Sequence, residues 1–370
     1  MLMAIRVLHV IGGLGLGGAQ VCLKYLVENK SDDVECYVYP LRHREETIPI
    51  DGEIIDVRYP NYDPRKFFKM VRLCKELKID VIHAHLHKPI MGALLAKYFC
   101  DVKVVAHEHG AIAHHGGQYG LYRAFLRMFG NKADVFISPS KAVVGQLVEL
   151  GGVDEPKIEV VYNAVDLEKF QPKQEVRQAL RKEFGIGEED IVVGFIGRLA
   201  EVKGPDILLE AFEKVVKRDG RFVLVYVGAG PMREELEKRA AEYGIAERVR
   251  MLGYRKDVAD VINVFDVAAI TSRQDAFPLT PLEVLSMRVP LVSCDVYGLA
   301  EVVEHEVNAL VPEGNGPGEI AECILRVAGD GELRAKLVEQ GGVTAERFGI
   351  DRCVERVEEI YRKLKIKMQK

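Results

Sequence analysis

The sequence lacks any stretch that would hold it in a membrane: no apolar run approaches the roughly 18 residues a spanning helix needs. Its seven cysteines, at 22, 36, 74, 100, 294, 323 and 353, are scattered and form no C-x-x-C pair. That spacing argues against a zinc site or a disulfide frame and for free thiols in a reducing compartment. Excess positive charge is missing as well. The chain carries 51 Lys and Arg against 56 Asp and Glu, a net charge of -5, so as a whole it is no nucleic-acid binder. No low-complexity tract interrupts it, and Met1 to Ile11 shows no cleavage pattern. A cytoplasmic chain is expected.

What is present fits an α/β protein of about two domains. The chain has 370 residues, 48% of them hydrophobic and 29% charged, which is ordinary for globular proteins but long for one core. Residues 1–165 hold 20 Lys and Arg against 19 Asp and Glu, and the remainder 31 against 37. The first half is therefore the better candidate to face an anionic surface or acceptor.

Residues 5–11 are a short apolar strand, followed by the glycine-rich loop 12–18 and a helix over 19–29. That order suits a phosphate. Gly13, Gly15 and Gly18 satisfy G-x-G-x-x-G, but no Lys-Ser/Thr follows, so it is not a Walker A loop. A dinucleotide fingerprint, a nucleotide-sugar or substrate loop, and a tight turn all remain open. Strand-like segments recur at 36–39, 54–57, 81–83, 102–105, 135–138 and 158–161, with helices near 65–78, 89–99, 118–129 and 140–150. The alternation predicts a parallel sheet with helices on both faces.

In 65–78, Lys66, Lys69, Arg72, Lys75 and Lys78 recur every third residue. That is a solvated basic face, or a contact with an anionic membrane surface or acceptor. The aromatic-rich 119–129 reads as core with a charged edge, or as an acceptor wall. Histidines crowd one region: His83, His85, His87, His107, His109, His114 and His115. Alternation along a strand is read as keeping the first three from all facing one site unless the strand ends there. Two strand ends would deliver His85 and His107 or His109 to one cleft. With only Glu108 as a nearby carboxylate, metal binding is disfavoured.

The charged segment 166–190 is the expected linker. A second series follows, with strands at 191–196, 222–227, 249–252, 267–270, 290–294 and 309–311. Arg198 and Lys203 fall just past the end of the first, where two cations suit a diphosphate. After 267–270 comes Thr271-Ser-Arg-Gln-Asp-Ala-Phe-Pro-Leu-Thr-Pro-Leu-Glu283. Thr280 as N-cap, Pro281 as the first helical residue and Glu283 as the third would make a capping box. A helix start at a strand's carboxyl end suits a ligand phosphate.

Several short patterns, in order and over nearly the whole length, carry a resemblance. They are Gly15-Leu-Gly-Gly-Ala19, Asp80-Val-Ile-His-Ala-His85, Ser138-Pro-Ser140, Val161-Tyr-Asn-Ala-Val-Asp166, Gly197-Arg-Leu with Lys203-Gly, Gly228-Ala-Gly-Pro231, Gly253-Tyr, Phe277-Pro-Leu with Glu283, and Gly298 with Glu301. The chain resembles glycosyltransferases of family 4, the group 1 set. The resemblance implies the GT-B fold: two Rossmann-like parallel-sheet domains facing a central cleft. The expected domains are an acceptor-side 1–168, a donor-binding 169–347, and a helix 348–370 returning to the first.

It also implies a retaining enzyme that needs no metal or other cofactor, in keeping with the absence of a D-x-D motif. Such an enzyme moves a hexose from a UDP- or GDP-sugar to a saccharide or lipid-linked acceptor, here in bacterial surface glycan or glycolipid synthesis. Peripheral attachment through the N-terminal domain is a further expectation. By resemblance, Arg198 and Lys203 bind the diphosphate and Glu283 the ribose. The backbone at Phe277, Pro278, Leu279 and Thr280 meets phosphate and sugar. His109 meets the donor sugar, with His107 as the fallback match. Gly17 and Gly18 admit the diphosphate, and Gly228 and Tyr254 belong to the nucleotide side. Asp275 stands where the family has Glu, drawing the carboxylate back by roughly 1.5 Å. Gln20 and Tyr297 also depart from the pattern. A non-catalytic nucleotide-sugar or glycan-binding protein of this fold is the alternative, followed by an NAD-dependent oxidoreductase.

Overall fold

The computed structural model describes residues 4–15, 17–42, 47–56, 59–60, 63–113 and 117–368. His114 and His115 of the histidine-rich region, Leu16 of the first loop and Val57 of the 54–57 segment lie outside them. The chain divides into two units, residues 1–164 with 350–370, and 165–349.

The first unit alternates β1 (Ile5–Ile11), α1 (Gly18–Glu28), β2 (Val34–Pro40), β3 (Glu53–Ile54), α2 (Arg65–Glu76), β4 (Val81–His85), α3 (His87–Ala96), β5 (Lys103–His107), α4 (Gly117–Phe129), β6 (Val135–Ser138), α5 (Lys141–Glu149) and β7 (Ile158–Val160). The strands form one sheet in the order β3-β2-β1-β4-β5-β6-β7, and every pair is parallel. The inner strands are nearly continuous apolar runs because helices cover both of their faces. The order reverses direction between β1 and β4. Such a switch point opens a crevice at the strands' carboxyl ends.

The second unit runs α6 (Gln174–Glu183), β8 (Ile191–Ile196), α7 (Pro205–Arg218), β9 (Phe222–Val227), α8 (Arg233–Glu242), β10 (Val249–Gly253), α9 (Val258–Ile262), β11 (Val267–Ile270), α10 (Thr280–Ser286), β12 (Leu291–Ser293), α11 (Pro317–Gly329) and α12 (Gly331–Glu346). Its parallel sheet has the order β10-β9-β8-β11-β12, with the switch point between β8 and β11. The core is built from the inward faces of these strands with Leu208, Phe212, Leu236, Ile320, Ile324 and Leu337 of the helices.

The last helix, α13 (Ile350–Met368), belongs to the first unit. Val354, Val357, Ile360, Tyr361 and Leu364 recur at helical spacing and pack into the core of α1 and β1. Its polar face is tied down by Arg362 to Asp33 at 2.9 Å and Arg356 to Glu159 at 2.7 Å.

Three expectations are corrected. The segment read as a linker contains α6, whose Arg177 and Arg181 grip Asp266 at 2.6 and 3.5 Å; its polarity belongs to an ion-paired helix. Residues 309–311 make isolated bridges, Val292 to Leu310 and His305 to Ala309, rather than a strand. The capping box does not form. The residue before α10 is Leu279, already in helical conformation with φ −76° and ψ −34°, and no side chain caps it. Pro281 thus becomes the second helical residue.

Candidate active site

In the second unit the loops after three adjacent strands are zipped together by backbone. Gly197 N–H donates to Val227 O at 3.0 Å, Leu199 N–H to Ala229 O at 3.0 Å and Gly228 N–H to Gly253 O at 2.8 Å. The approach is so close that a Cβ on Gly228 would lie 1.9 Å from Gly197 O. Gly204, at φ +62°, sits in the left-handed region, and a Cβ there would lie 1.9 Å from Thr271 O. This fixes the loop that carries Lys203 against the loop that carries Asp275.

Lys203 and Asp275 form an ion pair, part-buried at 30% and 11% side-chain exposure. Together with Phe195, Ser272, Pro278 and Thr280 they line a small concavity at the carboxyl ends of β8 and β11. Despite its missing methylene, Asp275 therefore reaches the lysine. Asp275 O also accepts from Gly298 N–H at 3.0 Å. Arg198 is exposed and makes no side-chain hydrogen bond to any described residue. Arg273, two residues before Asp275, is taken up by Asp206 in a bidentate pair at 2.8 and 2.6 Å.

Glu283 sits one turn into α10, partly buried. Burial raises its carboxyl to about 7, against the opposing charge of Lys169. The Phe277 ring is 3% exposed and packs 5.6 Å from Phe348, so only its backbone is available to a ligand. Pro278 is buried, Leu279 and Thr280 are partly exposed, and Tyr254 is 46% exposed. With seven residues, α10 offers the free N–H groups of one turn rather than a long dipole.

In the first unit Gly17 and Gly18 are exposed at the start of α1. Gln20, which departs from the family pattern, folds back on this loop and donates from Nε2 to Gly13 O at 2.9 Å. Tyr297, the other departure, adopts φ +51°, a conformation that explains why glycine is usual there.

The histidines are arranged differently from the expectation. Alternation does place His83 and His85 on one face of β4, with ring centroids 4.3 Å apart. His87 leaves the strand for α3. His9, which the sequence reading passed over, joins from β1, where it lies opposite His83 in the register. Two hydrogen-bonded rows result. His9 Nδ1 meets His85 Nε2 at 3.1 Å, and His85 Nδ1 meets His109 Nε2 at 2.9 Å. Tyr361 Oη meets His83 Nδ1, and His83 Nε2 meets His107 Nδ1 at 3.1 Å.

Burial holds His9 and His109 down at about 3 and the other three well below the ordinary range. All five rings are thus neutral, and each passes one proton along its row. The tautomer of His109 is thereby coupled to those of His85 and His9. Two sets, His9, His83 and His85, and Cys22, His107 and His109, bring one ligand atom each within 4.8 Å of one another. In the first set, His83 and His85 already use both ring nitrogens in hydrogen bonds. In the second, a hydrogen bond with Cys353 and burial keep the Cys22 thiol protonated.

Beside this stack Glu108 is completely buried. It accepts from Tyr122 Oη, and its other oxygen lies 3.6 Å from His87 Nε2. Burial raises the carboxyl to about 7, only partly offset by Tyr122. A lone acid between two histidines was the available signal for this group.

Known proteins bear on these two units. The Glycosyltransferase Family 4 sequence model matches residues 16–169, and the model for Glycosyl transferases group 1 matches 176–342. The chain is 27% identical over 309 residues to N-acetyl-alpha-D-glucosaminyl L-malate synthase of Bacillus anthracis, covering 82% of this chain and 80% of that one. It is 32% identical over 242 residues to D-inositol 3-phosphate glycosyltransferase of Saccharomonospora viridis, covering 62% of this chain and 56% of that protein. Among solved structures, Anabaena HepE in complex with UDP and glucose superposes with a TM-score of 0.84 at 21% identity, covering 96% of this chain and 99% of the other. WaaG, a glycosyltransferase involved in lipopolysaccharide biosynthesis, superposes with a TM-score of 0.77 at 16% identity and covers 96% and 99%.

Proposed function

This chain belongs to the family 4, group 1 glycosyltransferases of the GT-B fold, and from that premise we propose a retaining, metal-independent transfer of a hexose from a UDP- or GDP-sugar to a saccharide or lipid-linked acceptor. The observation that carries the donor assignment is the meeting of Lys203, Asp275, Pro278 and Thr280 in one concavity at the second sheet's switch point.

Departure of the nucleoside diphosphate leaves negative charge on its phosphates. Arg198, exposed and without a side-chain hydrogen bond to a described residue, and Lys203 supply positive charge for it, with backbone N–H groups of the first turn of α10. Asp275 neutralises Lys203. An incoming diphosphate shares the ammonium, and Asp275 is left to accept from a sugar hydroxyl. Glu283 accepts from the ribose. The role of His109 toward the donor sugar rests on the resemblance. Its depressed pKa means it acts as a neutral hydrogen-bonding group and not as a general acid.

HepE, by its description, binds UDP and glucose, which supports a uridine donor first. A role in bacterial surface glycans, with work at the inner face of the cell membrane, completes the proposal. Among the described residues, no helix is long and apolar enough to cross a membrane. The test is release of nucleotide from a panel of sugar nucleotides in excess chelator, wild type against Lys203→Ala and Glu283→Ala. Full activity in either variant removes the site assignment.

A further inference from the structure

One feature the donor chemistry does not use is a cavity of about 240 Å³ in the first unit. It lies at the carboxyl ends of β1 and β2 and at the first turns of α2 and α3, next to the switch point between β1 and β4. Phe67 and Met70 contribute apolar wall, and Arg42, Lys66 and Lys88 contribute charge. Among the described residues Asp63 is the one carboxylate on its lining, and it is already committed. It accepts from Arg65 Nε at 3.0 Å, from Nη2 at 2.6 Å and from the Arg65 backbone N–H at 2.8 Å.

Lys66 is the informative member. The sequence pattern put it on a solvated basic stripe, yet it is 5% exposed, while Arg72 and Lys75 on the same helix are exposed. Its ammonium donates to Leu41 O at 2.6 Å, and among the described residues no carboxylate pairs with it. Burial lowers its pKa, Asp63 opposes this, and Arg42 adds to the lowering. An ammonium has three protons to donate, of which the described residues take one, at Leu41 O, and covering a cation with donors unspent is costly. The N-terminus of α3, a ten-residue helix carrying Lys88 in its first turn, adds a positive end to the same cavity.

We propose that this cavity holds the anionic group of a small acceptor, a carboxylate or a phosphate monoester on a compact body. The volume falls below the roughly 300–1,000 Å³ of sites for larger ligands, so the part of the acceptor seated in it is the size of a short acid or a single ring. The apolar wall takes its hydrocarbon face, and the oxyanion sits between Lys66, Arg42 and Lys88. The proposal rests on the reading of the chain as a glycosyltransferase, whose acceptor it specifies.

The test is calorimetric titration of the full chain with inorganic phosphate and, separately, with succinate, each with UDP present in excess to occupy a donor site. At least one anion is expected to bind in the millimolar range. Phosphate alone assigns a phosphate monoester, and succinate alone a carboxylate. Lys66→Met should weaken that binding tenfold or more, Lys66→Arg should largely restore it, and UDP affinity should be equal in all three. Equal UDP affinity also shows that the variants are folded; should Lys66→Met not fold, Arg42→Gln and Lys88→Gln are read in its place. Anion affinity unchanged by these substitutions, or no binding of either anion, overturns the proposal. If UDP does not bind but the anion does, in a Lys66-dependent way, the glycosyltransferase reading fails while the anion pocket stands.

Discussion

Glu108 gives a prediction that can be worked through from the structure. Its carboxyl is completely buried, and burial moves its pKa from 4.5 to about 7. The folded chain therefore holds this proton more tightly than the unfolded chain does. The stability it contributes is fully present below about pH 4.5 and is lost as pH rises through 7. A shift of that size corresponds to about 3 kcal/mol between the two limits. Glu108→Gln keeps the shape and the acceptor for Tyr122 Oη but cannot ionise. Relative to wild type, the variant should gain about 3 kcal/mol on going from pH 4.5 to pH 8. With a urea dependence of about 2 kcal/mol per molar, this is a midpoint difference of about 1.5 M. Urea unfolding followed by hydrogen exchange of β5 peptides reports on this unit. Parallel pH profiles for the two proteins would refute the argument, because they would mean that Glu108 is ionised without penalty in the fold.

Other outcomes follow from the same geometry. Removing either diphosphate cation, by Arg198→Ala or Lys203→Ala, should lower kcat by about 10²–10³-fold, measured as nucleotide release. Donor KM should fall as pH rises from 6 to 8, because Glu283 titrates near 7 and its carboxylate is the better acceptor for ribose; steady-state kinetics of Glu283→Gln should show no such dependence. His85→Phe removes the hydrogen bond that His109 Nε2 makes and so frees its tautomer from that of the row; kcat should fall with little change in donor KM, and the ring ¹⁵N shifts of His109 should move. Gly204→Ala, whose Cβ would lie 1.9 Å from a carbonyl oxygen, should cost several kcal/mol and lower the melting temperature markedly.

Much of the fold was readable because strand and helix periods are strong in parallel sheets. The runs 5–11 and 135–138 read from the sequence coincide with β1 and β6. Polarity misled at 166–190, where the arginines of α6 are spent on Asp266 and not on water. The Thr280 cap failed because Leu279 already adopts helical angles, a tertiary choice that no local pattern records. Arg198, Lys203, Asp275 and Glu283 were visible as residues after strand ends. That Lys203 and Asp275 pair depends on Gly204 letting two loops touch. The histidine rows and the Lys66 cavity were hidden for a different reason. Strand register brings His9 beside His83, and helix rotation turns one lysine of a regular stripe inward.

The central claim is that the loops after β8 and β11 hold a nucleotide sugar. Thermal unfolding of wild type and Lys203→Ala against UDP-, GDP-, ADP- and dTDP-sugars, in chelator, tests it most directly, since a ligand that binds the native state raises the apparent stability. The account predicts that at least one of these sugars raises the wild-type melting temperature in a concentration-dependent way and that Lys203→Ala loses that rise. No rise with any of them, or an equal rise in the variant, would contradict it.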